Sequence, residues 1–338
     1  MMKKRATIKD VAALAGVSAA TVSRVLADQA EISAETKERV RAACAELGYV
    51  RNAAARGLTG RATHTIGLVV PDISNPYFSG MVTAIEQTAA AHGYRVLLSN
   101  SLRKPERELC AIDNFLSRRI DGVVIASVSA AIQARHHELL GGLPCVYLGM
   151  NHGADCSYVM ADNEAGAYAA TRYLLSMGHR DILFLGGRLT SRTWELRVQG
   201  YRRALREAGV TGREMPSPPE AIKMREWSYA TALELLQGDL PDAIFAYSDV
   251  TALKVLEAAE RCGVRIPEDL SLVGYDNIAV SGLPRIDLTT VSQHKFQQGR
   301  IAVERLLEKI AGSSEDTVDL LEPELIIRST CTKKTSCK

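Results

Sequence analysis

From residue 64 onward, the chain alternates short runs of aliphatic and β-branched residues with longer amphipathic segments. A run such as Thr65 to Val70 is apolar along its whole length, as expected of a strand buried on both faces of a parallel sheet. The segments between these runs carry apolar residues at helical spacing. This βα alternation predicts doubly wound parallel sheets, with ligands bound beyond the carboxyl ends of the strands.

The alternation covers about 270 residues, which is more than one such sheet normally uses. The predicted strands are Thr65 to Val70, Arg95 to Ser99, Gly122 to Ala126, Cys145 to Leu148, Ile182 to Leu185, Ala243 to Ala246 and Leu270 to Val273. The predicted helices include Gly80 to Ala91, Glu106 to Arg118, Ala165 to Met177, Leu196 to Ala208 and Ala252 to Cys262.

The N-terminal residues differ from the rest because they predict three short helices and no strand. Thr7 and Asp10 are spaced as a capping box, which begins a helix with Val11, Leu14 and Ala15 on its apolar face. Gly16 marks the turn after this helix, and Ser18 and Ser33 are N-caps that begin the second and third helices. Val22 is the apolar residue expected to be buried in the second helix. The third helix has an apolar face of Val40, Ala43, Cys44 and Leu47, and Gly48 ends it. This arrangement predicts a small helix-turn-helix domain.

In such a domain the second helix lies in the major groove of DNA and presents its N-terminal side chains to the bases. Arg24 is the main candidate for a specific contact, because a guanidinium can donate to two acceptors of one guanine. The other candidates for base contacts are Ala19, Ala20 and Ser23, and those for phosphate contacts are Thr7, Ser18, Thr21 and Asn52. The structural alternative is that these residues are helix caps and a solvated face.

Charge is distributed unevenly along the chain. Residues 1–61 contain 11 Lys or Arg and 6 Asp or Glu, so this stretch carries +5, while the whole chain carries +2 and the remainder therefore about −3. Positive potential is thus concentrated where DNA would bind.

The composition indicates a cytoplasmic protein without metal or cofactor. The seven cysteines form no C-x-x-C pair and are predicted to be reduced thiols. No apolar segment approaches the ~18 residues of a membrane span, and no signal peptide follows Met1.

The motifs of the first sixty residues resemble those of the lactose/galactose repressor (LacI/GalR) family of bacterial transcription regulators. The resemblance covers nearly the whole chain, and its clearest motifs are Ile8-Lys9-Asp10-Val11-Ala12, Gly16-Val17-Ser18, Thr21-Val22-Ser23-Arg24-Val25-Leu26, Leu47-Gly48-Tyr49 and Asn52-Ala53-Ala54-Ala55-Arg56-Gly57-Leu58. It implies a homodimer that binds a pseudo-palindromic operator and responds to a small molecule, most simply a sugar.

In that family a hinge segment folds on DNA and inserts a leucine into the central minor groove. Leu58 matches this leucine by position, and Ala55 lies on the same hinge. An apolar wedge of this kind unstacks one base step and kinks the duplex. Two positions depart from the family pattern: Arg51 replaces the usual proline, and Gly57 replaces a better helix former, which weakens the hinge helix by up to roughly 1 kcal/mol.

The resemblance also implies an effector-binding region of two subdomains, similar to periplasmic sugar-binding proteins. The chain should cross between them near Ala161-Asp162, Thr290-Val291 and Leu321 to Glu324. The predicted DNA-binding domain covers residues 1–50, the hinge covers 51–62, and a basic tail covers 331–338. The effector-binding region between hinge and tail covers 63–330. Its first subdomain is formed by 63–161 with 291–321, and its second by 162–290 with 322–330.

Candidate effector contacts follow the strands. The loop after the first strand contains Asp72, Asn75, Tyr77 and Phe78, a composition suited to a wall that stacks on a ring-shaped ligand. Arg197 and Asp276 match an arginine and an acid that family members use against ligand hydroxyls or amines, and both types of group can bind adjacent hydroxyls. The remaining positions that match effector contacts in relatives are Thr193, Trp227 and, less clearly, Asp249.

Three alternatives compete with a sugar-responsive repressor. A doubly wound fold could carry an enzyme, but the chain has neither G-x-G-x-x-G nor a phosphate-binding G-x-x-x-x-G-K-[ST] motif, and we expect no catalytic residues. A solute-binding protein would carry a signal peptide in place of the helical N-terminus. An activator, or a regulator that responds to a purine or another metabolite, has the same sequence features and stays open.

Overall fold

The computed structural model shows two compact units, Met1–Thr63 and His64–Lys338. The residues that it describes are 6–26, 32–49, 62–126, 130–149, 156–189, 191–218 and 224–334. The predicted hinge contacts Asn52, Ala55 and Leu58, together with Arg51 and Gly57, lie outside the described residues.

The described residues of the first unit form three helices, α1 (Ile8–Ala15), α2 (Ala19–Leu26) and α3 (Ala34–Glu46). The capping box at α1 is confirmed: the Thr7 backbone N–H donates to the Asp10 carboxylate at 2.7 Å, and Asp10 N–H donates to Thr7 Oγ1 at 3.4 Å. Ser18 Oγ accepts from Thr21 N–H at the start of α2. Gly16 adopts φ 65°, the left-handed conformation that its turn between α1 and α2 requires.

The small core of this unit is made of short apolar side chains from all three helices. They are Val11, Ala12, Ala15, Val22, Val25, Val40 and Ala43. Leu14 was predicted to share the buried face of α1, but it is 46% exposed. The buried position next to Val11 is taken by Ala12, whose small side chain lets the helices approach closely.

The second unit contains two six-stranded sheets. The first sheet has the strand order β11-β5-β4-β3-β1-β2. Its strands are β1 (Thr65–Val70), β2 (Arg95–Asn100), β3 (Gly122–Ile125), β4 (Cys145–Leu148), β5 (Ser157–Ala161) and β11 (Val318–Leu321). The helices of this subdomain are α4 (Pro76–Ala91), α5 (Pro105–Ser117), α6 (Ala130–Leu140) and α11 (Lys295–Ile310). Apolar clusters cover both faces of the sheet, so its central strands are apolar throughout.

The second sheet has the order β12-β10-β9-β8-β6-β7, with β12 antiparallel to β10. Its strands are β6 (Ile182–Arg188), β7 (Arg213–Ser217), β8 (Ala243–Ala246), β9 (Ser271–Tyr275), β10 (Thr289–Ser292) and β12 (Glu324–Ile326). Its helices are α7 (Asn163–Ser176), α8 (Arg192–Glu207), α9 (Met224–Gln237) and α10 (Asp249–Cys262), and a 3₁₀ turn covers Ala279–Gly282. The predicted fold class, a helical head followed by two doubly wound subdomains, is confirmed.

The chain passes three times between the two sheets. The first passage follows β5 and the third lies between β11 and β12. The second follows Ser292, slightly later than the expected Thr290-Val291, because all of β10 pairs in the second sheet before α11 packs on the first. The carboxyl ends of both sets of parallel strands lie near these passages.

The C-terminal residues pack further than the expected end of the domain at residue 330. Thr332 O accepts from His179 Nε2 at 3.0 Å, and Lys334 N–H donates to Met177 O at 2.8 Å. The segment 331–334 therefore lies on the second subdomain, and of the predicted basic tail only 335–338 falls outside the described residues.

Membrane insertion finds no support in the helices. None of those described is long and apolar enough to cross a bilayer.

Gly200 tests the close packing of α7 and α8. A Cβ at this position would lie 2.1 Å from the backbone oxygen of Glu164. Gly200→Ala should therefore destabilise the second subdomain by about 1–3 kcal/mol, although alanine in an open helix would stabilise it by about 1 kcal/mol. Urea unfolding followed by tryptophan fluorescence reports on this subdomain, because both tryptophans, Trp194 and Trp227, belong to it.

The matched control is Gly238→Ala, where a Cβ would meet only ordinary contacts at 3.6 Å and beyond. This variant should be neutral or slightly more stable than the wild type. An equal or higher stability of Gly200→Ala would show that α7 and α8 do not meet at this glycine.

Candidate functional site

The first candidate surface is the outer face of α2. Val22 and Val25 are buried, while Ala20, Ser23 and Arg24 are exposed on the opposite side. This separation leaves the predicted base-contacting side chains available to a large groove.

The remaining predicted contacts of the head are exposed or half-buried. Thr7 and Ser18 are exposed, and Ala19 and Thr21 are half-buried. The hydroxyl groups of Ser18 and Thr21 lie 2.9 Å apart at the N-terminus of α2, where Ser18 Oγ also accepts from Thr21 N–H. Their roles as phosphate contacts stay a prediction.

The second candidate surface lies at the carboxyl ends of the strands of the two sheets, where a buried ion pair dominates. Arg197 Nη2 lies 3.7 Å from Asp276 Oδ1, and the two side chains are only 4% and 6% exposed. Arg197 comes from α8, whereas Asp276 follows β9 directly. The structure thus brings together two residues that are far apart in the sequence and that were both predicted to bind a ligand.

Several groups fix the orientation of Arg197. Its Nε donates to Asn163 Oδ1 at 2.9 Å, and its Nη1 donates to Tyr247 O. The guanidinium carbon lies 3.6 Å from the ring centre of Tyr275 and 4.7 Å from that of Tyr247. Contacts with two aromatic rings restrict the movement of this planar group, which suits recognition of paired acceptors.

Asp276 is held in an unusual backbone conformation. Its φ is 116° and that of Asn277 is 44°, both in the region that favours glycine. Gln293 Nε2 donates to Asp276 Oδ1 at 2.6 Å. Strained residues of this kind concentrate at binding sites, where the surrounding structure fixes them.

Lys295, which the sequence did not reveal as a site residue, connects this loop to the first subdomain. It opens α11, and its Nζ donates to Asp276 O at 3.2 Å and to Asn277 O at 2.5 Å. Gln298 on the same helix donates to Gln293 O at 2.6 Å. The one sequence signal that could have pointed to Lys295 and Gln298 is their position just after the second passage between the sheets. The burial of a lysine depends on tertiary contacts, which the local sequence does not show.

The loop after β1 supplies the other wall. Tyr77 is buried, and its hydroxyl accepts from Gln298 Nε2 at 3.4 Å. Phe78 is half-buried and packs edge-on against Tyr77, with ring centres 5.1 Å apart. Asn75 caps α4 by accepting from Tyr77 N–H, and Asp72 accepts from Ser74. Asp72 and Asn75 therefore shape this loop, and direct ligand contacts by them stay a prediction.

Asp249 differs from Asp276, although the sequence predicted both of them as effector contacts. It is fully buried, and its carboxylate accepts from Ile278 N–H at 2.9 Å, from Ser281 Oγ at 2.7 Å and from Thr290 Oγ1 at 2.5 Å. Both oxygens are thus occupied by protein donors. Asp249 therefore holds the loop that carries Asp276, and a direct ligand contact by it stays a prediction.

The other predicted contacts lie on the helices of the second subdomain. Thr193 is half-buried in the first turn of α8. Trp227 is half-buried and packs on the apolar cluster of Leu183 and Leu185. The neighbouring Trp194 is buried in the apolar cluster that contains Val198 and Phe184. Effector contacts by Thr193 and Trp227 stay predictions.

The electrostatics of the pair favour a ligand that supplies hydrogen-bond donors. Burial raises the pKa of Asp276 to about 7, while the neighbouring Arg197 acts in the opposite direction. Burial also lowers the pKa of Lys295, against the pull of Asp276 and Asp249. A carboxylate that has lost its water gains from ligand hydroxyl or amine donors, whose hydrogen bonds stabilise the charged form.

Two family models together match most of the chain. The model described as "Bacterial regulatory proteins, lacI family" matches residues 7–52, and the one described as "Periplasmic binding proteins and sugar binding domain of LacI family" matches residues 63–331.

Curated relatives and solved structures extend over nearly the same length. The HTH-type transcriptional repressor CytR of Escherichia coli strain K12 is 34% identical over 96% of this chain and 95% of its own. The HTH-type transcriptional repressor PurR of Pasteurella multocida strain Pm70 is 36% identical over 96% and 98%. The crystal structure of the lac repressor dimer bound to operator and the anti-inducer ONPF has a TM-score of 0.86 and 29% identity, covering 97% of this chain and 100% of that one.

The raised pKa of Asp276 predicts a specific pH dependence of stability. An unfolded aspartate has a pKa of about 3.9, so between that value and about 7 the folded protein binds more protons at Asp276 than the unfolded chain does. The contribution of Asp276 to the free energy of unfolding therefore falls as the pH rises through this window. Asp276→Asn resembles the neutral acid and should lack this dependence.

Urea unfolding of the wild type and of Asp276→Asn at pH 5, 6, 7 and 8 measures the difference directly. The stability of the wild type relative to the variant should decline from pH 5 to pH 8, while contributions from titrating groups that do not interact with Asp276 are common to both proteins and cancel. Parallel pH profiles would show that Asp276 is ionised throughout this range.

Proposed function

Because this chain belongs to the LacI family of bacterial regulatory proteins, we propose that it controls its genes in response to a hydroxylated effector held by Arg197 and Asp276. It is a DNA-binding transcriptional repressor of this family, with a helix-turn-helix head and an effector-binding region. The observation that carries the proposed effector site is the buried pair at 3.7 Å, which the fold assembles at the carboxyl ends of the strands.

The proposed effector is a sugar or sugar derivative. A guanidinium fork and a carboxylate side by side can each bond two neighbouring hydroxyls, and the aromatic side chains of Tyr77 and Phe78 offer a surface for a ring. The match to a model described as a sugar-binding domain supports this class. Genes of carbohydrate uptake or catabolism are the corresponding targets, with a purine or another metabolite as the second candidate.

On DNA, the proposed assembly is a homodimer whose two heads bind the half-sites of a pseudo-palindrome. The similarity to an operator-bound lac repressor dimer over the full chain supports this geometry. The hinge, with Asn52 and Ala55 at its start and Leu58 as the minor-groove wedge, is carried over by sequence alone.

The proposed route from effector to DNA passes through the second passage between the sheets. Lys295 on α11 bonds the loop that carries Asp276. Gln298 on the same helix bonds Gln293 O, just after β10, and reaches Tyr77 in the first subdomain. A ligand that engages Asp276 thereby acts on groups of both subdomains. It can change operator affinity only by the difference in its affinity for the two arrangements of the subdomains.

The assignment of Arg24 to base recognition predicts a change in specificity. Arg24→Ala should relax discrimination at one base position of each half-site by about 1–3 kcal/mol, because a bidentate contact to guanine is lost. Selection from randomised operators by the purified protein, followed by sequencing, measures this preference.

Arg41→Ala is the control, since it removes the same charge from α3 and not from α2. It should lower affinity for all sequences alike and leave the base preference intact. If the preference of Arg24→Ala equals that of the wild type, Arg24 does not read a base.

The assignment of Asp276 predicts the loss of the effector response. Thermal-shift screening of sugars and purines identifies compounds that bind the wild-type protein, and operator titration with each hit measures their effect. Asp276→Ala should weaken the binding of an active compound by about tenfold to a hundredfold, because hydrogen bonds to a charged group are lost. Its effect on operator affinity at a fixed concentration should fall accordingly.

Asp269→Ala serves as the control, because Asp269 is paired with Arg265 on the surface of the same subdomain. This variant should respond as the wild type does. A normal response of Asp276→Ala would place the effector elsewhere.

A further inference from the structure

Two cysteines lie side by side at the amino ends of two neighbouring strands of the first sheet. Cys145 is the first residue of β4, and Cys156 directly precedes β5. The two strands are parallel, and Val146 pairs with Ser157. The same register places the residues one position earlier, Cys145 and Cys156, opposite each other. Neighbouring strands lie about 4.8 Å apart, which is within the Cα separation of roughly 4.4–6.8 Å that a disulfide requires.

Both cysteine side chains lie on the same face of this sheet. Two positions further along the strands, the rings of Tyr147 and Tyr158 stack with their centres 5.5 Å apart. Because side chains alternate between the two faces of a strand, the residues two positions before these tyrosines share their face. The apolar cluster on this face contains Cys156 and both tyrosines, and Cys145 packs against it. The two thiols are therefore neighbours on one side of the sheet.

A histidine is hydrogen-bonded to one of the two thiols. Nε2 of His137, which lies on α6, bonds Cys156 Sγ. Cys156 is only 7% exposed, whereas His137 is exposed. An imidazole in this position can take the thiol proton and leave a thiolate, which is the nucleophilic form of cysteine. Cys156 and His137 together thus have the chemistry of an activated thiol at the surface of the first subdomain.

Cys145 is suited to react second. Burial raises the pKa of its thiol above the usual range, and the negative charge of an ionised Cys156 raises this pKa further. Cys145 therefore keeps its proton while Cys156 ionises. Once Cys156 has become part of a disulfide it carries no charge, so its effect on Cys145 ends.

We propose that Cys145 and Cys156 are a thiol-oxidation site, at which a low-molecular-weight disulfide is reduced and an intrachain disulfide forms. In the first step, His137 takes the proton of Cys156, and the thiolate attacks one sulfur of the oxidant. The S–S bond of the oxidant breaks, and the departing thiolate takes the proton from His137.

In the second step, the Cys145 sulfur attacks the Cys156 sulfur of the mixed disulfide. The second thiol of the oxidant leaves with the proton of Cys145. The two cysteines lose two electrons in total, and the two sulfurs of the oxidant gain them. This site lies at the amino ends of the strands, away from the effector pair at the carboxyl ends, and it gives the regulator a response to oxidants that is separate from the effector.

Oxidised glutathione is the probe for this site. The fully reduced, full-length protein is incubated with it under native conditions, and samples are quenched in acid, alkylated and digested with trypsin for mass spectrometry. Both cysteines fall in one tryptic peptide, residues 136–172, so the disulfide appears as a loss of two hydrogens and resistance to alkylation. The wild type should form this disulfide and retain little glutathione on either cysteine.

Two variants separate the steps. Cys145→Ser should stop at the mixed disulfide, with glutathione bound to Cys156, because the second thiol is absent. His137→Gln should form the same disulfide as the wild type but at least about tenfold more slowly, because the base is lost.

The matched controls are His92→Gln and Cys110→Ser. His92 is an exposed histidine of the same subdomain that is bonded to Thr88 O, and Cys110 is an exposed cysteine on α5. Both variants should form the disulfide at the rate of the wild type. A wild-type protein in which Cys156 stays reduced, or keeps glutathione without forming the disulfide, would overturn the site. Equal rates for His137→Gln and His92→Gln would overturn the role of His137 as the base.

Discussion

The burial of Asp276 opposite Arg197 is the constraint around which the effector-binding region is arranged. A carboxylate at 5% exposure loses most of its hydration, and one guanidinium at 3.7 Å does not restore all of it. The protein adds an amide from Gln293, and two tyrosine rings hold the guanidinium in place. A preorganised acid that accepts few protein donors is the feature that supports the proposed hydroxylated effector.

The buried loop that carries Asp276 also connects the two subdomains. The loop that carries Asp276 is bonded at its backbone by Lys295, which begins a helix of the other subdomain. Asp249 supports the loop from below with a fully satisfied carboxylate. The loop that carries Asp276 is thus bonded across one of the three passages of the chain, which is why the proposed effector site would couple the two subdomains.

The sequence predicted strands well where both faces of the strand are buried, and poorly where contacts with distant parts of the chain determine whether a segment becomes a strand. The strand Thr65–Val70 was bounded correctly because both of its faces are apolar, whereas Arg213–Ser217 at the sheet edge was missed because its residues are largely polar. Asp276 and Asp249 look alike in sequence, and only their contacts distinguish the acid beside Arg197 from the acid whose two oxygens both accept from protein donors. Lys295 was not found, since nothing in the local pattern shows that a lysine will be buried.

Reciprocal linkage between the two sites tests the account most directly. The effector identified by screening is titrated into free protein and into protein saturated with operator, and its two dissociation constants are compared by calorimetry. The account predicts that they differ by the same factor by which the effector changes operator affinity, because both measure one coupling free energy. Equal dissociation constants, with and without operator, would contradict a cleft that is coupled to DNA binding.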